Sequence, residues 1–114
     1  MEPVNRMAVV VFVREPFVDW LNSVSPDQPV WMGAMAGRGN VYLIPEFEDI
    51  DQAEEHVEEI FDEIFTNELS DWHEDESRWP ADRTYEMFME WFDVLFDVAV
   101  FDSVDETDGE DAPN

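Results

Sequence analysis

The apolar positions of this chain change their period several times, and each change marks an element. Residues 7–13 (MAVVVFV) form an unbroken, largely β-branched apolar run, which predicts a strand buried on both faces. Pro16 then suits the first turn of a helix. Phe17, Trp20, Leu21 and Val24 recur at i, i+3, i+4 and i+7, the single stripe of an amphipathic helix that should end near Ser25 and Pro26. The signal is mixed over 28–40. Residues 30–35 read as an edge strand weakened by Pro29 or as an irregular segment, and 37–40 (GRGN) as a turn. Residues 41–44 (VYLI) predict a second strand, closed by Pro45.

The longest element is a helix. Asp51 followed three residues later by Glu54 has the spacing of a capping box, with Asp49 as the alternative cap. Ile50, Ala53, Val57, Ile60, Phe61, Ile64, Phe65, Leu69 and Trp72 make the expected buried face. Glu54, Glu55, Glu58, Glu59, Asp62, Glu63 and Glu68 make the expected solvent face. A loop rich in acids and arginine runs over 73–83. A third helix follows over 84–92, with Phe88, Trp91 and Phe92 inward, and a strand over 94–101 is interrupted by Asp97.

The order β-α-β-α-α-β predicts an α+β fold, a small layered domain of three or four strands and three helices. If 30–35 pairs with 41–44, the order becomes β-α-β-β-α-β, a ferredoxin-like plan with a helical insertion. Residues 1–102 read as one domain. Residues 103–114, acidic and without apolar periodicity, read as a disordered tail.

Composition narrows the function classes. The chain has 114 residues, 30 acidic and five basic, for a formal net charge of −25. The bases are all arginine (Arg6, Arg14, Arg38, Arg78 and Arg83), and there is no lysine. With 45% hydrophobic residues, five Trp and nine Phe, the body does not have the makeup of a disordered chain. Five arginines hardly supply a phosphate-binding face, so direct nucleic-acid binding is not expected. The absence of cysteine removes disulfides, thiolate metal sites and a cysteine nucleophile. No secretory pattern and no long apolar span is visible, which points to a soluble cytoplasmic protein without a membrane partner.

The acidity is a property of the body as well as the tail. The long helix carries like-charged pairs at i,i+4 with no cation between them: Glu54/Glu58, Glu55/Glu59, Glu58/Asp62 and Glu59/Glu63. Each costs an isolated helix about 0.2–0.5 kcal/mol at low salt. At about 1 M salt the Debye length falls to about 3 Å and the repulsion largely disappears. Acidity together with a total lack of lysine resembles the composition of proteins from cells that accumulate molar salt. A nucleic-acid mimic, whose carboxylates imitate phosphates to occupy a DNA-binding protein, also predicts negative charge. It gives no reason, however, to remove lysine from every other face.

Candidate chemistry is sparse. Asp71, His73, Glu74 and Asp75 could offer oxygen and imidazole ligands to a divalent cation, although ligands so close in sequence seldom converge. No H-E-x-x-H, EF-hand, P-loop or G-x-S-x-G pattern occurs, and no cofactor is expected. Arg78, Trp79, Arg83 and Tyr85 place two of the five arginines among aromatics, a candidate pocket for a carboxylate or phosphate. The structural alternative is that Trp79 plugs the core while the arginines pin the loop to acidic helices. Arg14, at the end of the first strand, is a lesser candidate.

Tyr42-Leu43-Ile44-Pro45, Trp79-Pro80, Arg83-Thr84, Phe88 and Trp91-Phe92, with Phe17, Asp19 and Trp20, carry a resemblance. They resemble a family of small uncharacterised bacterial proteins in which a Y-L-I-P strand precedes an acidic helix and a W-P-x-x-R-T-x-x-x-F-x-x-W-F segment. The resemblance implies a framework of structural aromatics and no chemistry. The expected function is therefore a non-enzymatic, salt-adapted domain that interacts with another protein. The alternatives are the mimic and a small anion-binding protein or enzyme built on Arg78 and Arg83. If the charge is an adaptation to salt, thermal melts should move to higher temperature between about 0.1 M and about 3 M KCl. An unchanged melting temperature would contradict the adaptation.

Overall fold

The computed structural model describes residues 2–3, 6–35, 39–98 and 101–102. The expected tail over 103–114 lies outside the described residues, as do Gly37 and Arg38 of the expected turn. The elements in chain order are β1 (Glu2–Pro3), β2 (Arg6–Val13), α1 (Glu15–Val24), α2 (Met32–Met35), β3 (Gly39–Pro45), α3 (Ile50–Trp72), α4 (Tyr85–Trp91), β4 (Phe92–Val98) and β5 (Phe101–Asp102), with a 3-10 turn at Glu76–Arg78. The fold class is α+β. A three-stranded sheet of order β3-β2-β4, antiparallel throughout, carries helices on one face, and β1 pairs with β5 in a separate two-stranded ribbon.

Residues 30–35 are not a strand. Val30 exchanges both backbone groups with the Asn22 side chain, its N–H donating to Oδ1 and its carbonyl accepting from Nδ2, each at 2.8 Å. An amide that satisfies both groups of Val30 leaves nothing there for a strand ladder. The chain then turns into the short α2, and the four-stranded, ferredoxin-like option does not form.

The helix ends follow from side-chain capping. Asp49, with extended backbone, accepts from the Gln52 N–H at 3.0 Å and caps α3, so Asp51 lies within the first turn and the Asp51/Glu54 box is not the start signal. Thr84 caps α4 through Met87 N–H at 3.1 Å. Pro16 opens α1 as expected, and the Ser25 N–H closes it on Leu21 O at 2.9 Å. The last strand starts two residues before the expected position, at Phe92, directly after α4.

Met7, Val9, Val11 and Val13 of β2 turn to the covered face with Ile44 and Phe92, under Phe17, Val18 and Leu21 of α1 and Ala53, Val57, Ile64, Phe65 and Leu69 of α3. Rings bind the layers together. Phe88 lies 6.1 Å from Phe65 and 5.2 Å from Phe92, and Phe17 lies 5.4 Å from Phe92. These separations suit edge-on and tilted contact between aromatic quadrupoles. Phe88 is fully buried at the junction of α3, α4 and β4. Replacing it with alanine should cost about 3–5 kcal/mol of stability, read as a lowered urea midpoint in concentrated KCl.

Candidate functional site

Strand β3 departs from the simplest sequence rule. Side chains alternate across a sheet, and the apolar set normally faces the core. Here the register opposes Met7 with Ile44, Val9 with Tyr42 and Val11 with Asn40, so Asn40, Tyr42 and Ile44 point under the helices. Val41 and Leu43 point to the opposite side and are 60% and 58% exposed. The strand therefore does two unusual things. It inserts two polar groups beneath α3, and it lays apolar side chains on the open face.

Beneath α3 the polar groups meet Glu68, which is 3% exposed. It was expected on the solvent face of the helix and is instead the one charged residue in the described core. The Tyr42 hydroxyl donates to Glu68 Oε2 at 2.5 Å, and Asn40 Nδ2 donates to the same oxygen at 2.7 Å. Asn40 Nδ2 also reaches Asp71 Oδ2 at 3.1 Å, and Asn67 Nδ2 donates to the Tyr42 oxygen at 2.9 Å. Neither of the two ion pairs among the described residues involves Glu68 or Asp71.

Burial pushes the Glu68 carboxyl above its ordinary value. The bonds from Tyr42 and Asn40 pull it back, and the Asp71 charge pushes it up again. Burial and the bond to Glu68 raise the Tyr42 hydroxyl strongly, which keeps it a donor. A cleft of about 250 Å³ opens beside this cluster, lined by Glu68, Asn40, Asp71, Trp72, Met35 and Val13 among others. Trp72 was expected to be buried and is 37% exposed at its rim. No motif marks Glu68. The available signal was the run Asn40-Val41-Tyr42-Leu43, where polar and apolar residues alternate with a period of two.

The residues singled out from sequence lie elsewhere. Trp79 and Arg83 line one shallow groove, together with Glu63 and Glu76, whose charges oppose an anion there. Arg83 grips Asp62 through Nε at 2.7 Å and Nη2 at 3.3 Å, and donates Nη1 to Pro80 O at 2.8 Å. Asp82, just before it, takes a left-handed φ of 54°, a conformation aspartate tolerates. Tyr85 stacks on Phe88 and meets Phe61 edge-on, outside the lining of that groove, and burial with nearby Glu58 and Glu54 raises its hydroxyl. Arg78 is exposed beside Asp75, and its carbonyl accepts the Trp20 indole N–H at 3.0 Å.

Among the described residues no group of three or more His, Asp or Glu side chains is placed to hold a metal ion, so Asp71, His73, Glu74 and Asp75 are not brought together as one. Asp71 faces Asn40. Asp75 caps the 3-10 turn through Ser77 N at 3.0 Å and Ser77 Oγ at 2.6 Å, bonds that lower its carboxyl. Glu74 is exposed. His73 sits against Trp20 at 6.1 Å, its Nδ1 buried without a hydrogen-bond partner, while its carbonyl accepts from Trp79 Nε1 at 2.8 Å. Arg14 donates to Met89 O at 3.2 Å and lies 3.8 Å from Asp93.

Comparison with known protein families, with curated proteins and with solved structures finds no match for this chain.

The Glu68 cluster makes a signed prediction. A carboxyl raised in the folded state binds its proton more tightly there than in the unfolded chain. That contribution is complete below the ordinary value of 4.5 and is lost as pH rises through the raised value. Among the described residues, the groups facing Glu68 are Tyr42 and Asn40 from β3 and Asp71 from α3, while Met35 and Val13, lining the cleft from α2 and β2, carry no charge. Glu68→Gln keeps an acceptor and removes the titration. Relative to this variant, the wild-type chain should lose stability as pH rises from about 4 to about 7, measured by urea unfolding at fixed salt.

Proposed function

We propose that this chain is a non-enzymatic, salt-adapted cytoplasmic interaction domain whose contact surface is the open face of its sheet, and whose partner there is a second copy of itself. The observation that carries this is the apolar character of that face. The register assigns Val10 and Phe12 of β2, Val41 and Leu43 of β3, and Leu95 of β4 to it, with Leu95 52% exposed. Phe12 lies over Gly39, where a Cβ would come within 2.8 Å of its ring, at one end of the β2–β3 ladder. No helix among the described residues covers it. A contiguous apolar surface on a chain this acidic is most simply a place where water is excluded by a partner.

Charge selects the partner. Among the described residues that the register assigns to this face, Asp93 is the one acid, so two chains of net charge −25 meet here with the least repulsion. Arg6 stands at the opposite end of the face, beside Pro45. Three strands of about seven residues span about 25 by 15 Å, below the standard size of specific interfaces. Such a dimer is weak, and concentrated salt favours it by screening the remaining charge and strengthening apolar burial.

Light scattering coupled to size exclusion reads this directly. The expected result is one chain per particle at about 0.1 M KCl and a shift toward two at about 3 M. Leu43→Asp should hold the chain monomeric at both, with its circular dichroism unchanged because the site is exposed. A monomer under every condition, or a dimer that ignores Leu43→Asp, would remove the proposal.

A further inference from the structure

The three-stranded sheet has two outer edges, and they are built differently. Its order β3-β2-β4 leaves β3 with a strand partner on one side only among the described residues. In such a strand alternate residues point their N–H and C=O groups away from the ladder, where another chain can pair with them. None of the loop and cap backbone bonds among the described residues ends on 39–45. Proteins commonly guard an edge of this kind with charge or a bulge. β4 has both, with Asp93 and Asp97 in its sequence and an irregular step in its pairing between Ala8 and Val10. β3 has neither. Its seven residues carry no charge in a chain with 30 acids, and they oppose β2 one for one from Gly39 to Pro45.

A groove lies beside that edge. A concavity of about 360 Å³ is lined by Tyr42 and Leu43 of β3 and by Ile60, Glu63, Ile64 and Asn67 of α3. Tyr42 points beneath α3 and Leu43 to the opposite face, so a space that touches both lies on the outer side of the strand. The helix wall sets the exposed carboxylate of Glu63 beside the apolar Ile60 and Ile64, and Glu59 stands one turn before Glu63 on the same side of α3.

We propose that the β3 edge and this groove dock an extended peptide segment whose residues alternate between basic and apolar, added as a further strand. Main-chain bonds to the edge supply the pairing. Alternation sends the bases to the helix side, where their stems cover Ile60 and Ile64 and their charges meet Glu63 and Glu59. It sends the apolar side chains to the open face, as cross-strand neighbours of the exposed Val41 and Leu43. Charge decides against a second copy as the occupant. Another β3 has no base to set against Glu63, and it brings a further acidic α3 with it. The site uses the backbone of the edge and stands whether or not the sheet faces pair.

The test is a ¹H–¹⁵N titration of the intact chain with the synthetic peptide acetyl-KVRVKV-amide, in the lowest KCl concentration at which circular dichroism shows the chain folded. The comparison peptides are acetyl-KKRVVV-amide, of the same composition, and acetyl-EVEVEV-amide. Saturable shifts confined to 39–45 and the groove side of α3, with slowed amide exchange within 39–45, are expected for the first peptide alone. Glu63→Lys, at an exposed position, should weaken that binding about threefold or more with circular dichroism unchanged. Equal binding of the rearranged peptide would show attraction to an acidic surface and nothing more. Equal binding of the acidic peptide, indifference to Glu63→Lys, shifts centred elsewhere or no saturable shift would each overturn the proposal, as the first outcome does. Slowed exchange within 39–45 that grows with chain concentration and needs no peptide overturns it as well, because the occupant is then a second copy. Light scattering on the same samples reads the pairing of sheet faces separately.

Discussion

The pairing of β3 with β2 decides which side of the sheet every residue of β3 takes, because strand side chains alternate and a slip of one position exchanges the two faces. The observed register opposes Val9 with Tyr42 and Val10 with Val41. In the alternative, Val41 and Leu43 would enter the core and Asn40 and Tyr42 would go to water, an arrangement with more apolar burial and no buried carboxylate. The network around Glu68 offsets part of that difference, since Tyr42 and Asn40 find acceptors beneath α3 that satisfy them away from solvent. The open apolar face and the polar cleft are thus one choice seen from two sides.

That choice explains what could and could not be read along the chain. The helices were legible because their apolar stripes are long and their caps are local: Pro16 for α1, the Asp49/Asp51 region for α3, Thr84 for α4. The strand at 7–13 was legible because it is apolar throughout, although its two faces differ. Val9 and Val11 are fully buried, while Val10 and Phe12 on the other side are only half-buried. Glu68 was misplaced for a specific reason. It falls in a run of helical acids whose periodicity assigns it to solvent, and only the nonlocal approach of Asn40 and Tyr42 brings it inside. Residues 30–35 were ambiguous because the deciding interaction, the Asn22 side chain on Val30, leaves no trace in hydrophobic period.

The arginines tell a related story about charge. Arg14 and Arg83, two of the few cations available, are both spent on holding elements together, the first on the end of α4 and the second on α3 and the loop carbonyl of Pro80. With acids outnumbering bases 30 to five, most carboxylates cannot have a cationic partner, and their placement is governed by distance from one another and by solvent. An exposed pair such as Arg83 with Asp62 is modest in stability terms and weakens further as salt screens it. What carries the layers is the ring cluster, which salt does not weaken.

The acid-rich loop between α3 and α4 is tethered differently. Its first half is held by indole donors, Trp79 onto the carbonyl of His73 and Trp20 onto the carbonyl of Arg78. Both bonds join neutral groups, and both acceptors belong to the backbone. Apart from Asp75 and Ser77, which shape the 3-10 turn, the intervening side chains make no hydrogen bond that places the loop among the described residues. Glu74 and Glu76 are free to drift to other polar residues across generations, while the two tryptophans that hold the main chain are not.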